Sequence, residues 1–141
     1  MQEKENKLFE PFEPKKENRF LVKFPEPFKI PQYVIHKANR PSFSITEYGT
    51  IIWKNITFSL YDPISPSTSG AIMEGLKELR KKDSQKLTIE IEILDPTGNV
   101  VESWNIHGNI DNINFGILDW SKGEPLYITI EFKVEYAQLN F

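Results

Sequence analysis

The strongest constraint on the fold of this chain is a strict alternation of apolar and polar residues over positions 127–136. Successive side chains of a β-strand point to opposite faces, so a period of two predicts a strand with one dry face and one wet face. The apolar set is Ile128, Ile130, Phe132, Val134 and Tyr136. The polar set is Thr129, Glu131, Lys133 and Glu135. The C-terminal region is therefore predicted to be a strand that covers a core.

The same period occurs earlier, over residues 85–94, and it is followed by a turn signal. The apolar residues of this run are Leu87, Ile89, Ile91 and Ile93. Asp95-Pro96-Thr97-Gly98 follows directly. Proline presets φ and glycine accepts a positive φ, so this tetrapeptide predicts a tight turn. Residues 99–107 then return with Val100, Trp104 and Ile106 on one face, which predicts a β-hairpin.

The remaining segments predict further strands and one helix. Strands are expected over residues 18–24, 33–37 and 53–61, and a hairpin around Tyr48-Gly49 is expected within residues 42–52. The helix is expected over residues 71–82, because Ile72, Leu76 and Leu79 form one stripe at helical spacing and capping residues precede it. The prediction is a mainly β fold, an antiparallel β-sandwich or barrel with one flanking α-helix.

Composition limits the classes of protein that the chain can be. Its 141 residues suffice for one domain, which we place at 18–141 behind an extended N-terminal arm at 1–17. The chain has no cysteine, so thiolate chemistry and disulfides are excluded. The net charge of −3 argues against a protein that grips nucleic acid. No apolar run is long enough to span a membrane, and the charged N-terminus does not resemble a signal peptide.

Two segments have exposed character and are candidates for contacts between subunits. The arm mixes charges and prolines with two aromatic rings, and residues 38–52 are β-rich without a clear buried face. The alternatives are a flexible tail and an ordinary surface hairpin. The candidate contact residues are Phe9, Phe12, Arg40, Phe43, Tyr48 and Trp53.

The sequence contains no pattern typical of a catalytic, metal-binding or cofactor-binding site, so we expect no enzyme, no metal and no cofactor. His36 and His107 lie far apart, and neither has the helical spacing of a zinc pair. The segment Asp111–Gly116 places Ile113 and Phe115 where a calcium loop needs oxygen ligands. A catalytic carboxylic acid needs a cleft that raises its pKa, whereas the glutamates on the two alternating strands lie on open faces beside lysines.

The element order and the C-terminal segment resemble the tail tube proteins of contractile-tailed bacteriophages. The similar features are a strand that ends at a glycine, a long loop that closes on Leu118-Asp119-Trp120, and a final alternating strand that ends in an aromatic residue. Asp119 and Trp120 form the most specific part, and we expect a capped turn with a buried ring there. Many family members have Trp-Pro near the position of Gly108-Asn109, but this chain does not, so the loop over 108–115 is expected to follow a different course.

The resemblance implies a structural role without chemistry. In that family six copies form a ring, the rings stack into a tube inside a sheath, and strands of every copy line the lumen. The implied partners are further copies of the chain as a homo-hexamer, sheath subunits, a baseplate tube initiator and a tail terminator, with phage DNA passing through unbound. The implied location is the virion tail, after assembly in the host cytoplasm. Two related roles are alternatives to that of a tail tube subunit: a baseplate tube initiator and the inner tube of a contractile injection device.

The polar strand faces are the candidates for the lumen. They carry Glu90, Glu92, Glu131 and Glu135. A net acidic wall would not bind DNA, whereas a basic residue repeated six times would form a ring of cations that retains the DNA. A different class of function is a monomeric β-sandwich that binds carbohydrate or peptide through Tyr48, Trp53 or Trp104. The two hypotheses differ in assembly, because a tube subunit must form rings or filaments whereas a binding module can be a monomer.

Overall fold

The protein, described here as a computed structural model for residues 12–141, is built on one six-stranded antiparallel sheet. The strands are β1 (Phe20–Lys23), β2 (Ile35–Ala38), β3 (Phe43–Ile45), β4 (Ile51–Trp53), β5 (Ile56–Tyr61), β6 (Leu87–Leu94), β7 (Val100–Asn114) and β8 (Tyr127–Leu139). A 3₁₀ turn, Gln32–Val34, precedes β2, and α1 (Thr68–Leu79) lies between β5 and β6. Residues 1–11, and with them Phe9, lie outside the described part.

The strand order of the main sheet is β1-β6-β7-β8-β5-β2, and all neighbours are antiparallel. The edge strands β1 and β2 approach each other, so the sheet is nearly closed. The remaining strands, β3 and β4, form a separate two-stranded hairpin. The mainly β fold with one helix is thus confirmed for the described residues.

The two alternating runs supply most of the core, as their period predicts. Ile89, Ile91, Phe132 and Val134 are buried together with Ile72 and Leu79 of α1. Leu76 of α1 packs against the same cluster. The apolar faces of the two strands and the helix stripe therefore share one core. Nothing in residues 12–141 forms a helix long and apolar enough to cross a membrane.

Tyr136 does not point into the core, contrary to the simple alternation. The register between β7 and β8 shifts at His107 and Gly108, so that Glu135 is the extra residue of a bulge. A single extra residue reverses the facing of everything that follows. Tyr136 consequently stacks on His107 at 4.4 Å on the polar face, and Ala137 turns inward instead, opposite the buried Ile106.

The segment 108–115 is not a loop, because β7 continues through it to Asn114. Its partner throughout is β8, from the pair Gly108 and Val134 to the pair Asn114 and Thr129. Gly108 is needed beside the register shift between β7 and β8, since a Cβ there would lie 2.0 Å from the carbonyl oxygen of Lys133. The other boundary errors are smaller: Trp53 belongs to β4 and not to β5, and α1 spans Thr68–Leu79 in place of 71–82.

Helix α1 begins at a well-formed cap and packs through a glycine. Ser67 is the N-cap, and its hydroxyl accepts a hydrogen bond from the backbone N–H of Gly70 at 3.2 Å. The carboxylate of Asp62 accepts a second bond from the N–H of Thr68 at 3.0 Å. One turn further, the ring of Phe28 lies against Gly75, where a Cβ would come within 2.4 Å of the ring. The helix therefore rests on Phe28 without any side chain between them.

This contact predicts opposite effects for two glycine substitutions in the same helix. Gly75→Ala should lower the free energy of unfolding by up to about 2 kcal/mol, because overpacking costs about 1–3 kcal/mol and helix propensity returns only about 1 kcal/mol. Gly70→Ala is the matched control, since the nearest atom to its added Cβ is 3.7 Å away. It should leave stability equal or higher by up to about 1 kcal/mol. Urea unfolding measures both, and equal effects would contradict the packing described here.

Candidate assembly surfaces

The four glutamates predicted as lumen candidates lie on one face of the main sheet, opposite the core. Glu90 and Glu92 alternate with buried isoleucines on β6, and Glu131 does the same on β8. Glu135 is exposed at the bulge of β8. The antiparallel ladder from β6 through β7 to β8 thus presents all four carboxylates on one polar surface.

This polar face is mixed in charge and not uniformly acidic. Lys23 Nζ lies 2.7 Å from the Glu92 carboxylate, and Lys86 Nζ lies 3.0 Å from that of Glu135. The amide of Asn55 donates a hydrogen bond to Glu131 at 3.0 Å. Such exposed pairs contribute little to stability, about 0–1 kcal/mol each. The face therefore carries both acidic and basic side chains, which pair with one another.

Both histidines stand on this face in aromatic stacks. His107 lies between Tyr136 and Thr88, whose hydroxyl oxygen is 2.8 Å from Nδ1. His36 lies 4.8 Å from each of two tyrosine rings, Tyr61 and Tyr127. Within residues 12–141, no three His, Asp or Glu side chains are grouped in a way that could hold a metal ion. The histidines are thus packed parts of the strand surface.

The β3–β4 hairpin exposes apolar side chains that the domain leaves uncovered. Its exposed residues are Phe43, Ile45, Tyr48, Ile51 and Ile52. Trp53 is half-buried, and its ring meets Phe43 edge-to-face with centroids 5.0 Å apart. Exposed apolar side chains grouped on one small element often mark a site of protein contact. The predicted hairpin around Tyr48 is confirmed, and its contact role remains a prediction.

The loop between β7 and β8 is a second exposed apolar surface, and here the expectation of a buried ring is wrong. Asp119 does cap a turn, because its carboxylate accepts bonds from the N–H and hydroxyl of Ser121 at 2.9 and 2.7 Å. The ring of Trp120 is nevertheless fully exposed, as are most of Ile117 and Leu118. The turn directs these apolar side chains away from the core.

The three aromatic residues proposed for a ligand-binding module do not face one another. Trp104 donates its indole N–H to Glu102 at 2.6 Å, and Trp53 packs on Phe43. Only Tyr48, at the tip of the hairpin, presents a largely exposed ring. Two of the three rings are therefore already engaged by partners within the domain.

Glu102 is the residue that sequence reasoning missed. It is only 4% exposed although it is charged. Lys15 Nζ donates to its carboxylate at 2.6 Å, Arg40 at 3.1 and 3.2 Å, and Trp104 from within β7. The signal was present in the sequence, because Glu102 shares the inward parity of Trp104 and Ile106. Of the predicted contact residues, Arg40 thus binds Glu102, and Phe12 of the arm is exposed.

The environment of Glu102 sets its protonation. Burial raises its pKa, but the hydrogen bonds from Lys15, Trp104 and Arg40 outweigh burial, so the pKa lies below its ordinary value of 4.5. A group whose pKa is depressed by folding stabilises the fold above its unfolded pKa. That stability is lost as the pH falls through the lower, folded pKa.

This linkage predicts a pH-dependent effect of Glu102→Gln. At pH 7 the variant should melt at a lower temperature than the parent, because the amide cannot replace a charged acceptor. The difference should shrink as the pH falls below the ordinary pKa of 4.5 and through the lower pKa of the folded state, where the parent carboxylate takes up its proton. Thermal melts across this range measure the difference. Glu131→Gln, on the exposed face, is the control, and an equal pH dependence in both variants would contradict the assignment.

The strands β7 and β8 also leave open edges. Along β7, pairing with β6 ends at Gly108, so residues 109–114 pair only with β8 in the described chain. Along β8, pairing with β5 ends at Phe132, so residues 133–139 pair only with β7. The two free edges lie on opposite sides and at opposite ends of the sheet. Such edges are natural templates for pairing with another chain.

Neither a protein-family model nor a curated protein matches the sequence. Solved structures do match the fold. The chain aligns with a chain of the anti-feeding prophage tube-terminating cap, with a TM-score of 0.66 and 16% identity over 92% of this chain and 93% of that one.

Two further structures belong to similar particles. A chain of the sheath–tube complex of the PVC extracellular contractile injection system aligns with a TM-score of 0.63 and 13% identity, over 90% of this chain and 91% of that one. A chain of the anti-feeding prophage baseplate aligns with a TM-score of 0.60 and 19% identity, over 92% and 97%. The expected likeness to tail tube proteins is thus confirmed in three dimensions, and the chain has the tail-tube-like fold of contractile injection system components.

Proposed function

We propose that this chain is a structural subunit of a tail tube, in which hexameric rings stack into a hollow conduit for DNA delivery inside a contractile sheath. The observation that carries the proposal is the likeness, over 90% or more of each chain, to components of a tube-terminating cap and of a sheath–tube complex. The partners are then further copies of the chain, sheath subunits, a tube initiator and a terminator. The place of action is the assembled particle in the virion tail. A position as tube initiator, or in an injection device, would use the same surfaces.

The exposed apolar surfaces support such an assembly. A lone soluble domain rarely leaves a hairpin such as β3–β4 and a loop bearing Ile117, Leu118 and Trp120 uncovered. The two surfaces lie on different elements and differ in sequence, so a contact between one and the other would join unlike surfaces. Contacts between unlike surfaces are heterologous, and they generate rings or stacks.

The open edges of β7 and β8 support pairing within a ring. They stand on opposite sides of the sheet, so the free edge of one copy can meet a neighbour rotated about a common axis. Their offset along the strands is also what a tilted, closed barrel requires. The role needs no catalytic residue, since edges, apolar contacts and a smooth channel suffice.

The hairpin gives the first test of assembly. Ile45→Asp should reduce tube formation at least about tenfold, because enclosing an unpaired carboxylate in an apolar contact costs more than the about 1.4 kcal/mol that tenfold requires. Ile45 lies outside the core, so the circular dichroism of the variant should match the parent. Negative-stain microscopy of purified protein counts rings and tubes.

The control for this test is Ile64→Asp, which places the same charge at a fully exposed apolar residue away from the hairpin. It should leave tube formation unchanged. A parent chain that stays monomeric at high concentration would contradict the tube itself. Normal tubes from Ile45→Asp would remove the hairpin from the interface.

The polar face carrying Glu90, Glu92, Glu131 and Glu135 is the proposed wall of the lumen. Glu131→Lys combined with Glu135→Lys should leave tubes intact but slow DNA ejection, more strongly at low salt. Each ring would then present twelve additional cations in the proposed hexamer, and cations retain DNA through counterion release that salt suppresses. Ejection kinetics of assembled particles at two salt concentrations provide the measurement.

A matched double variant separates position from net charge. Glu26→Lys with Glu74→Lys makes the same change in charge at two exposed residues outside the polar face. Ejection from these particles should match the parent. Equal slowing in both double variants would show that net charge and not the wall is responsible, and unchanged kinetics in the first variant would remove the lumen assignment.

A further inference from the structure

The carboxylate of Glu102 holds two cations from segments far apart in the sequence. Lys15 Nζ contacts Oε1 at 2.6 Å, while an Arg40 guanidinium nitrogen lies 3.1 Å from Oε1 and 3.2 Å from Oε2. Lys15 belongs to the N-terminal arm, and Arg40 lies three residues before β3 at the root of the hairpin. One buried anion therefore ties together the two segments that carry the predicted contacts between subunits.

The anion and its cations differ strongly in exposure. The Glu102 side chain is 6% exposed, whereas those of Lys15 and Arg40 are 51% and 58% exposed. Glu102 is fixed on β7 and is also held by Trp104 from the same strand. The carboxylate is thus a permanent part of the domain, and each cation reaches it from solvent. Either cation can leave without opening the core.

The two segments also share one surface next to this anion. Lys15 and Arg40 line a crevice whose floor is formed by Phe20, Ile91 and Ile93. The arm covers one side of that crevice, and residues 38–40 cover the other. Departure of the arm therefore uncovers apolar surface directly beside the hairpin root.

Electrostatics makes the two cations redundant. A buried carboxylate without a partner is strongly destabilising, and one well-placed cation removes most of that penalty. The second cation adds less, because it meets an anion that is already neutralised and is repelled by the first cation. Loss of either cation is consequently mild, and loss of both leaves a buried unpaired charge.

We propose that Glu102 is the positioning residue of an exchangeable latch. In the free subunit it holds the arm through Lys15. When the arm leaves for a neighbouring copy, Arg40 keeps the carboxylate paired. The inference rests on the proposed function for its neighbouring copy. The contact between Arg40 and Glu102 fixes the hairpin root both before and after release of the arm. The hairpin therefore keeps its direction when the arm leaves.

A cycle of substitutions in the full-length chain tests the redundancy. The variants are Lys15→Met, Arg40→Met and both together, since methionine keeps the apolar stem of each side chain. Each single variant should lower Tm slightly, and the double variant should lose clearly more than the sum of the two single losses. Additive losses would overturn the proposal, because they mean that the cations act independently.

Glu102→Gln provides a second test, because its effect on Tm should have opposite signs in the parent and in the double variant. In the parent the substitution should lower Tm, since two cations lose their partner. In the double variant the same substitution should raise Tm, since it removes the unpaired buried charge while leaving an acceptor for Trp104. Without that reversal of sign, the loss in the double variant comes from another cause and the latch is wrong.

Hydrogen exchange shows whether the arm leaves alone. Lys15→Met should speed amide exchange in residues 13–19 and leave residues 38–42 unchanged. Equal acceleration of both segments would contradict an exchangeable latch, because the arm and the hairpin root would then form one unit. All these measurements use unassembled subunits, so they hold or fail independently of tube formation. Failure of the parent chain to form tubes would overturn the proposed function and the transfer of the arm to a neighbouring copy, but not the latch in the free subunit.

Discussion

The pairing of β7 with β8 is the interaction on which the rest of the structure depends. These strands have 15 and 13 residues, and they form the centre of the sheet. β6 attaches to one half of β7 and β5 to the opposite half of β8, so the core and both open edges follow from this one ladder. Gly108 makes the ladder possible, because any Cβ would strike the backbone of Lys133.

Periodicity was sufficient to predict those parts of the fold that face a core. The alternating runs predicted the strands β6 and β8 and the burial of Phe132, and together with the turn signal at 95–98 they predicted the hairpin between β6 and β7. It failed where pairing continues without a buried face. Residues 109–114 are rich in asparagine and carry little apolar pattern, yet they remain a strand because β8 supplies the hydrogen bonds. The bulge at Glu135 likewise depends on the partner strand and not on local composition.

The candidate surfaces were predictable only in part. The polar strand faces followed from period two, whereas the contact role of the hairpin and the arm remains a prediction from aromatic residues and missing apolar faces. Glu102 was missed because a glutamate within an alternating strand is normally read as solvated. Only the three-dimensional approach of Lys15 and Arg40 makes burial of that charge tolerable. Trp120 was misplaced for the converse reason, since a large ring is expected to be buried unless another protein covers it.

The β3–β4 hairpin has a thermal consequence. It has three residues in each strand, it forms a sheet of its own, and two-stranded hairpins are marginally stable alone. Contacts that cover Phe43, Ile45 and Ile51 bury apolar surface and thereby lower the heat capacity. Hydrophobic contacts of this kind weaken on cooling. Any assembly that relies on this hairpin is therefore held together least firmly in the cold, whereas the domain behind it keeps its own closed core.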